Sequence, residues 1–392
     1  MPLAAIEYRL MDLVYLDNNA TTRVAPQVLD AMLPYLTQWY GNPSSVHRFG
    51  QRSRQGLEEA RAQMAQLIGC SDQELIFTSG GTEAINTAIR GALATRAPRR
   101  KIVVSTVEHS ATRQLCRELA MNGIEIVEIG VDRAGALDMN HLRSFVDDQV
   151  ALVSIMWANN ETGVLFPVEQ IAAICRERSV PFHCDGVQAA GKIRVDVRAV
   201  GVDLMSLAAH KFHGPKGTGA LYVRRGVRLQ PLMIGGAQER QKRGGTENVA
   251  GIVGMGKAAE LAGAALGQMR EVAALRDRLE REILTTIQGT YVNGCMDMRL
   301  PNTTNIAFAR LEADAILLLL SERGICASAG AACSSGSLEP SHVLRAMGID
   351  ERIAHGAVRF SLSRYTTAAE ISHTIEGLAG VIQRLREVLP VG

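Results

Sequence analysis

Aromatic residues are scarce, only 4% of the chain, which argues against reading nucleic-acid bases by stacking. Charge of one sign is lacking too. The 42 Lys and Arg stand against 40 Asp and Glu, a net +2 without a clustered basic run, so nothing electrostatic favours nucleic acid. No apolar run approaches about 18 residues without charge, which argues against a membrane span. The first ten residues lack a basic end followed by an apolar core and do not read as a signal peptide. The 7 cysteines, Cys70, Cys116, Cys175, Cys184, Cys295, Cys326 and Cys333, are odd in number and scattered. With no C-x-x-C pair they suggest neither a disulfide framework nor a cysteine-built zinc site. The expectation is a cytoplasmic protein with reduced thiols and no intrinsic metal.

What the chain does have is core. At 392 residues, 47% hydrophobic and 21% charged, it suggests a globular protein of two ordinary domains. From about residue 75 to 225, short apolar runs (74–78, 101–105, 124–127, 151–156, 180–184, 204–207 and 220–223) alternate with segments of helical period such as Val168 to Arg178. That alternation predicts an α/β fold with a mostly parallel sheet covered by helices on both faces. Residues 256–288 read as one long helical stretch ending near Gly289. Beyond it, strand-like runs (304–308, 358–362) and helices near 312–323, 341–347 and 367–388 form a smaller α+β unit. The expected division is residues 22–258 as the large domain, and 1–21 with 259–392 as the small one.

Several residues then fall on one predicted sheet edge, where ligands bind in such sheets. Ser79-Gly80-Gly81-Thr82-Glu83 follows a strand and opens a helix, offering free amides and a hydroxyl for a phosphate; an ordinary capped turn has the same sequence. Asp185 ends a strand, as a ring-nitrogen partner or a helix cap, and Gln188 lies three residues on, within one helical turn. Lys211 follows another strand beside a Gly/Pro turn, as a Schiff-base amine or a surface lysine. His109 reaches the same edge as a ring-stacking group or a structural histidine. Together they supply what pyridoxal phosphate requires of a protein. Separately, Cys333 sits in Ala327-Ser328-Ala329-Gly330-Ala331-Ala332-Cys333-Ser334-Ser335-Gly336. Side chains this small bury little, so the thiol is expected on a mobile loop. Cys116, Cys175 and Cys184 read as core, and Cys326 has no obvious chemistry.

At this point the chain resembles the cysteine desulfurases of the NifS-like branch, within the class V aminotransferase group of fold-type-I pyridoxal-phosphate enzymes. The matching motifs are Tyr15-Leu16-Asp17-Asn18-Asn19-Ala20-Thr21-Thr22, Gly41-Asn42-Pro43-Ser44-Ser45, Trp157-Ala158-Asn159-Asn160-Glu161-Thr162-Gly163, His210-Lys211-Phe212-His213-Gly214-Pro215-Lys216-Gly217, Arg243-Gly244-Gly245-Thr246-Glu247-Asn248 and Cys333-Ser334-Ser335-Gly336-Ser337-Leu338-Glu339-Pro340. The resemblance runs from about residue 14 to the C-terminal helix. Met11 stands just before its first motif, so residues 1–10 read as an extension or as a start set upstream.

The resemblance implies a pyridoxal 5'-phosphate cofactor on Lys211 as internal aldimine and proton shuttle. His109 would stack on its ring, Asp185 would pair with the ring nitrogen, and Gln188 would contact the ring oxygen. Gly81, Thr82 and His210 would hold the phosphate, with Thr246 reaching it from the other subunit of a homodimer. Asn160 would lie beside cofactor and substrate, and Arg359 would bind the substrate carboxylate. L-Cysteine would become alanine, its sulfur passing to Cys333 as a persulfide and on to an iron–sulfur scaffold, either nitrogenase-dedicated or housekeeping. Metal contact would arise only where Cys333 meets a nascent cluster on that scaffold. His342 and His355 are candidates to help form the Cys333 thiolate. Many relatives have a serine at the position of Ala208, bonding the phosphate; alanine cannot. A selenocysteine lyase or class V aminotransferase is the alternative reading. A Cys333–His342 thiol hydrolase leaves Lys211 and Asp185 unexplained, and a non-catalytic sulfur scaffold is the remaining alternative.

Overall fold

The structure is a computed structural model that describes residues 13–329 and 340–388; Cys333 lies outside the described residues. Strand β1 (Val14–Tyr15) comes first. A seven-stranded sheet follows, built of β2 (Leu75–Thr78), β3 (Lys101–Ser105), β4 (Glu125–Ile129), β5 (Val150–Met156), β6 (Phe182–Asp185), β7 (Leu204–Ala208) and β8 (Gly219–Val223). Their order is β2-β8-β7-β6-β5-β3-β4. All neighbours are parallel except β8, which runs antiparallel to both β2 and β7. The mostly parallel α/β sheet expected from the sequence is therefore present, with each strand close to its apolar run.

Period-two alternation sorts the strand residues onto two faces. Phe77, Val103, Val153, Ile155, Met205 and Leu207 pack with the helices Arg48–Ile68, Val168–Glu177 and Val249–Ala264. Ile76, Ile102, Val104, Leu152, Leu204 and Leu221 pack with the helices Gly81–Thr95 and Ser110–Met121. Burial on both faces explains why β5, Val-Ala-Leu-Val-Ser-Ile-Met, carries almost no polar residue.

A second core holds Val14, Leu16 and residues from Met269 to Ile382. It packs around β9 (Thr290–Val292), β10 (Thr303–Phe308) and β12 (Ala357–Ser361), joined antiparallel as β12-β10-β9, while β11 (Ile325–Cys326) pairs with β1. The long stretch expected over 256–288 is instead two helices, Val249–Ala264 and Met269–Thr286, separated by the turn Leu266–Gln268 and bent by 53°. The first packs in the sheet's core and the second in the other. No single helix among the described residues is long and apolar enough to cross a membrane.

The interior of the large sheet carries one polar element with a pH consequence. His183 on β6 is fully buried, its Nδ1 2.8 Å from the Ser154 hydroxyl and its Nε2 2.8 Å from that of Ser206. Burial lowers its pKa from 6.5 to about 3. Between those values the unfolded chain binds the proton and the native one does not, so stability falls as pH falls through that window. From pH 7 to pH 4.5 this histidine alone should cost about 2–3 kcal/mol. Urea unfolding at the two pH values should show a smaller loss in His183→Gln; an identical loss would refute the assignment.

Candidate active site

The strand order turns back across β3, whose neighbours are β4 on one side and β5 on the other. Ligands in open α/β sheets collect at the carboxyl ends of strands flanking such a point. His109 follows β3, Asn160 follows β5, Asp185 ends β6, Lys211 follows β7 and Gly81 follows β2. The fold thus brings together at one edge residues far apart in sequence.

His109 caps the helix Ser110–Met121, its Nδ1 accepting from the amide of Ala111 at 3.1 Å. Burial is the main cause lowering its pKa, opposed by Asp185 and reinforced by Lys211. A neutral flat ring results, suited to stacking. Asp185 is buried, and that burial raises its pKa against the pull of His109, the Val187 amide and Lys211. Its Oδ1 accepts from the Val187 amide at 3.0 Å. His109, Asp185 and Lys211 thus lie close enough at this sheet edge to act on one another's charge. Beneath His109, Glu108 is fully buried, and burial pushes its pKa up to about 8.

Gly81 and Thr82 open the helix Gly81–Thr95 as the sequence predicts. The turn lies close over β8: a Cβ on Gly219 would come within 2.6 Å of the Gly80 carbonyl carbon. One on Gly81 would lie 3.0 Å from Val187 and 3.7 Å from the Ala208 methyl, so the amide cup adjoins the Asp185 turn and Ala208. Glu83 braces it, accepting from the Ser79 amide at 2.7 Å and pairing with Arg243 at 3.0 Å. The pair ties the cup to the segment carrying Thr246, which is exposed. His210 Nδ1 lies 3.2 Å from the Thr21 hydroxyl, and burial lowers its pKa to about 4.

Arg359, on β12, is 2% exposed. It donates to the Asn160 carbonyl at 3.0 Å and pairs with Asp17 at 2.6 Å. Its backbone also pairs with Ser328, on one flank of the segment that contains Cys333. The other flank is tied nearby, the Ser341 hydroxyl donating to buried Glu161, the neighbour of Asn160. Both ends of the segment that contains Cys333 therefore attach beside Arg359 and Asn160.

Sequence reasoning missed the group that joins these parts. Asn19 accepts through its backbone carbonyl from Lys211 Nζ at 2.6 Å and Gln188 Nε2 at 3.0 Å. Its side chain bonds Lys192, Asn302 and Thr303. Gln188 lies in a turn closed by the amides of Ala189 and Ala190 on the Gly186 carbonyl. Lys192, four residues further, donates to it at 2.6 Å. That spacing was the one available signal. Both candidate helpers of Cys333 lie among the described residues. His342 donates through Nε2 to the Glu108 carbonyl at 3.1 Å, and burial lowers its pKa to about 4, so it is no cation at pH 7. His355 faces Glu312 at 3.6 Å. Cys116, Cys175 and Cys184 are buried, and burial raises each thiol.

The profile of the family described as aminotransferase class-V matches residues 14–373. A cysteine desulfurase of Enterobacter agglomerans is 55% identical over 378 residues, 96% of this chain and 94% of the relative. Cysteine desulfurase NifS of Azotobacter vinelandii is 50% identical over 379 residues, again 96% and 94%. A solved structure described as a NifS-like protein superposes with a TM-score of 0.89 at 37% identity, covering 95% of this chain and 100% of that one. The chain belongs to the aminotransferase class-V family of α/β enzymes. Within that family it stands with the cysteine desulfurases, which removes the thiol-hydrolase alternative.

Proposed function

We propose that the protein is a pyridoxal-phosphate-dependent cysteine desulfurase that converts L-cysteine to L-alanine and receives the sulfur on Cys333. The observation that carries this reading is the convergence of His109, Asp185 and Lys211 beside the amide cup at Gly81 and Thr82. These residues fit the cofactor. The cup and His210 suit its phosphate, neutral His109 suits its ring face, buried Asp185 suits a protonated ring nitrogen, and Gln188 suits the ring oxygen. When bound, the cofactor supplies an electron sink for the substrate's α-carbon. Arg359 and Asn160 orient the substrate carboxylate, and Lys211 moves the α-proton. The Cys333 thiolate attacks the substrate sulfur: the carbon–sulfur bond breaks, a sulfur–sulfur bond forms, and the carbon skeleton leaves as alanine.

Stoichiometric alanine and sulfide from L-cysteine, with a thiol reductant and no oxo acid, is the expected result. Dependence on an oxo acid would indicate an aminotransferase instead, and turnover confined to selenocysteine a lyase for that substrate. A homodimer is part of the proposal. Ile234 is 88% exposed, with Leu232 and Met233 beside it, and Met233 accepts from the Gly244 amide at 2.9 Å, two residues from Thr246. An apolar tip next to Thr246 suits a second copy, whose cofactor phosphate Thr246 would reach. The acceptor of the persulfide is an iron–sulfur scaffold in the cytoplasm, where thiols stay reduced. Transfer of labelled sulfur to purified nitrogenase-dedicated and housekeeping scaffolds distinguishes the two.

Ala208 gives this reading a quantitative test. It is buried beside the cup, where a hydroxyl would reach the phosphate. A hydrogen bond to a charged group contributes about 1.5–3 kcal/mol. Ala208→Ser should therefore bind the cofactor about tenfold or more tightly when the apo-enzyme is titrated. Unchanged or weaker affinity would show that the cup does not hold the phosphate there.

A further inference from the structure

Lys192 is a buried titratable group at the site to which the proposed chemistry gives no task. It is 6% exposed, and its Nζ lies 2.6 Å from Gln188 Oε1 and 2.8 Å from Asn19 Oδ1. The charged groups acting on it are Lys211 and Arg359, both cations, and no carboxylate pairs with it among the described residues. Burial first, then those two charges, hold its pKa well below that of an ordinary lysine. An amine kept in such a place without an acid is costly, so its hydrogen bonds are its contribution.

Both bonds go to side-chain amides, which have an acceptor end and a donor end. The N–H groups of Lys192 select the oxygen of each. For Gln188 this turns Nε2 away from Lys192, toward the Asn19 carbonyl 3.0 Å off, the same carbonyl that receives Lys211 Nζ. For Asn19, Oδ1 faces Lys192 and Asn302 Nδ2, which leaves its own Nδ2 to donate to Thr303 at 2.9 Å. The Asn19 carbonyl selects Nε2 at one end of the Gln188 amide and Lys192 selects Oε1 at the other, so without Lys192 only one of the two constraints remains.

We infer that Lys192 is a positioning residue that holds the Gln188 amide with its NH2, not its oxygen, toward the Lys211 side of the site, where the cofactor's ring oxygen is met. The inference rests on the proposed cofactor. An N–H donor stabilises negative charge on that ring oxygen, whereas an amide oxygen repels it. The orientation of Gln188 therefore sets how firmly the neighbouring nitrogen that links cofactor to lysine keeps its proton. Stabilised negative charge on the oxygen lets the proton leave at lower pH, and a reversed amide retains it to higher pH.

The test is a pH titration of the cofactor's visible absorbance in the holoenzyme, with no substrate present. Lys192→Met should raise the midpoint by about one pH unit, the size of one lost hydrogen bond to a charged oxygen. In a Gln188→Ala background the same change should shift it little, since there is no amide to orient. Equal shifts in both backgrounds would assign the effect to the charge of Lys192 and overturn the inference, as would no shift in either. If Lys192→Met does not fold, the same comparison with Lys192→Leu, which likewise removes the donor to Gln188 Oε1, is decided by the same outcomes. A parent protein reconstituted with pyridoxal phosphate that shows no such band would overturn the proposed cofactor, and this inference with it. A normal band with additive shifts overturns only the role of Lys192.

Discussion

Cys333→Ser will release no sulfide from L-cysteine, while the visible absorbance of the bound cofactor stays that of the parent. The groups proposed to hold the cofactor lie at the large sheet's edge, with Thr246 reaching in from the other subunit, and none involves residue 333. The nucleophile, by contrast, must be a thiolate. A serine hydroxyl does not ionise near neutral pH and cannot accept sulfur in a persulfide. The expected fall in sulfide production is at least about a thousandfold. Cys326 is the less suited thiol: burial, with Asp17 adding, pushes its pKa up, and its backbone is held in β11. The flanks of the Cys333 segment are tied at Ser328 to Arg359 and at Ser341 to Glu161, so its attachment points lie beside the proposed substrate carboxylate. Mass analysis after mixing with L-cysteine should find one extra sulfur on the parent and none on the variant. Parent-like turnover by Cys333→Ser would remove the persulfide scheme and favour the aminotransferase reading, which needs no thiol.

What could be read in the sequence followed from signals local to a few residues. Leu75–Thr78, Val150–Met156 and Leu204–Ala208 are continuous apolar runs because helices cover both faces of the sheet, and such runs stand out. The positions of Asp185 and Lys211 at strand ends, and of Gly81 and Thr82 at a helix start, came from the same local reading. The bend at Leu266–Gln268 did not, because alanine and leucine continue on both sides of Gly267 and an isolated glycine does not by itself mark a break; the division between two cores places it there. Strands β1, β9 and β11 hold two or three residues each and depend on partners far away in the chain. Asn19 was legible as part of a motif but not as a junction, since its bonds to Lys192, Asn302 and Thr303 span 173, 283 and 284 positions. Pairing of Arg359 with Asp17, 342 positions apart, was hidden for the same reason.

Lys192 and Lys211 together sharpen the remaining prediction, which concerns the amine that carries the cofactor. A buried lysine of lowered pKa is chemically attractive for that task, and by burial Lys192 is the better candidate of the two. Geometry decides otherwise. The Nζ of Lys192 is committed to two amide oxygens inside the protein, whereas Lys211 stands at the end of β7 with Asp185 and His109 acting around it. Among its bonds are those to the carbonyls of Asn19 and Ala20, at 2.6 and 2.8 Å, neutral acceptors that the amine can leave as it turns toward the cofactor. Borohydride treatment of the holoenzyme should therefore fix the cofactor to a peptide containing Lys211 and leave the Lys192 peptide unlabelled. Lys211→Ala should bind the cofactor without a covalent link and lose about 10⁴-fold or more in turnover, since both the attachment and the proton transfer at the α-carbon vanish with one amine. Label on Lys192, or parent-like turnover without Lys211, would reverse the assignment and make the deeper lysine the reactive one.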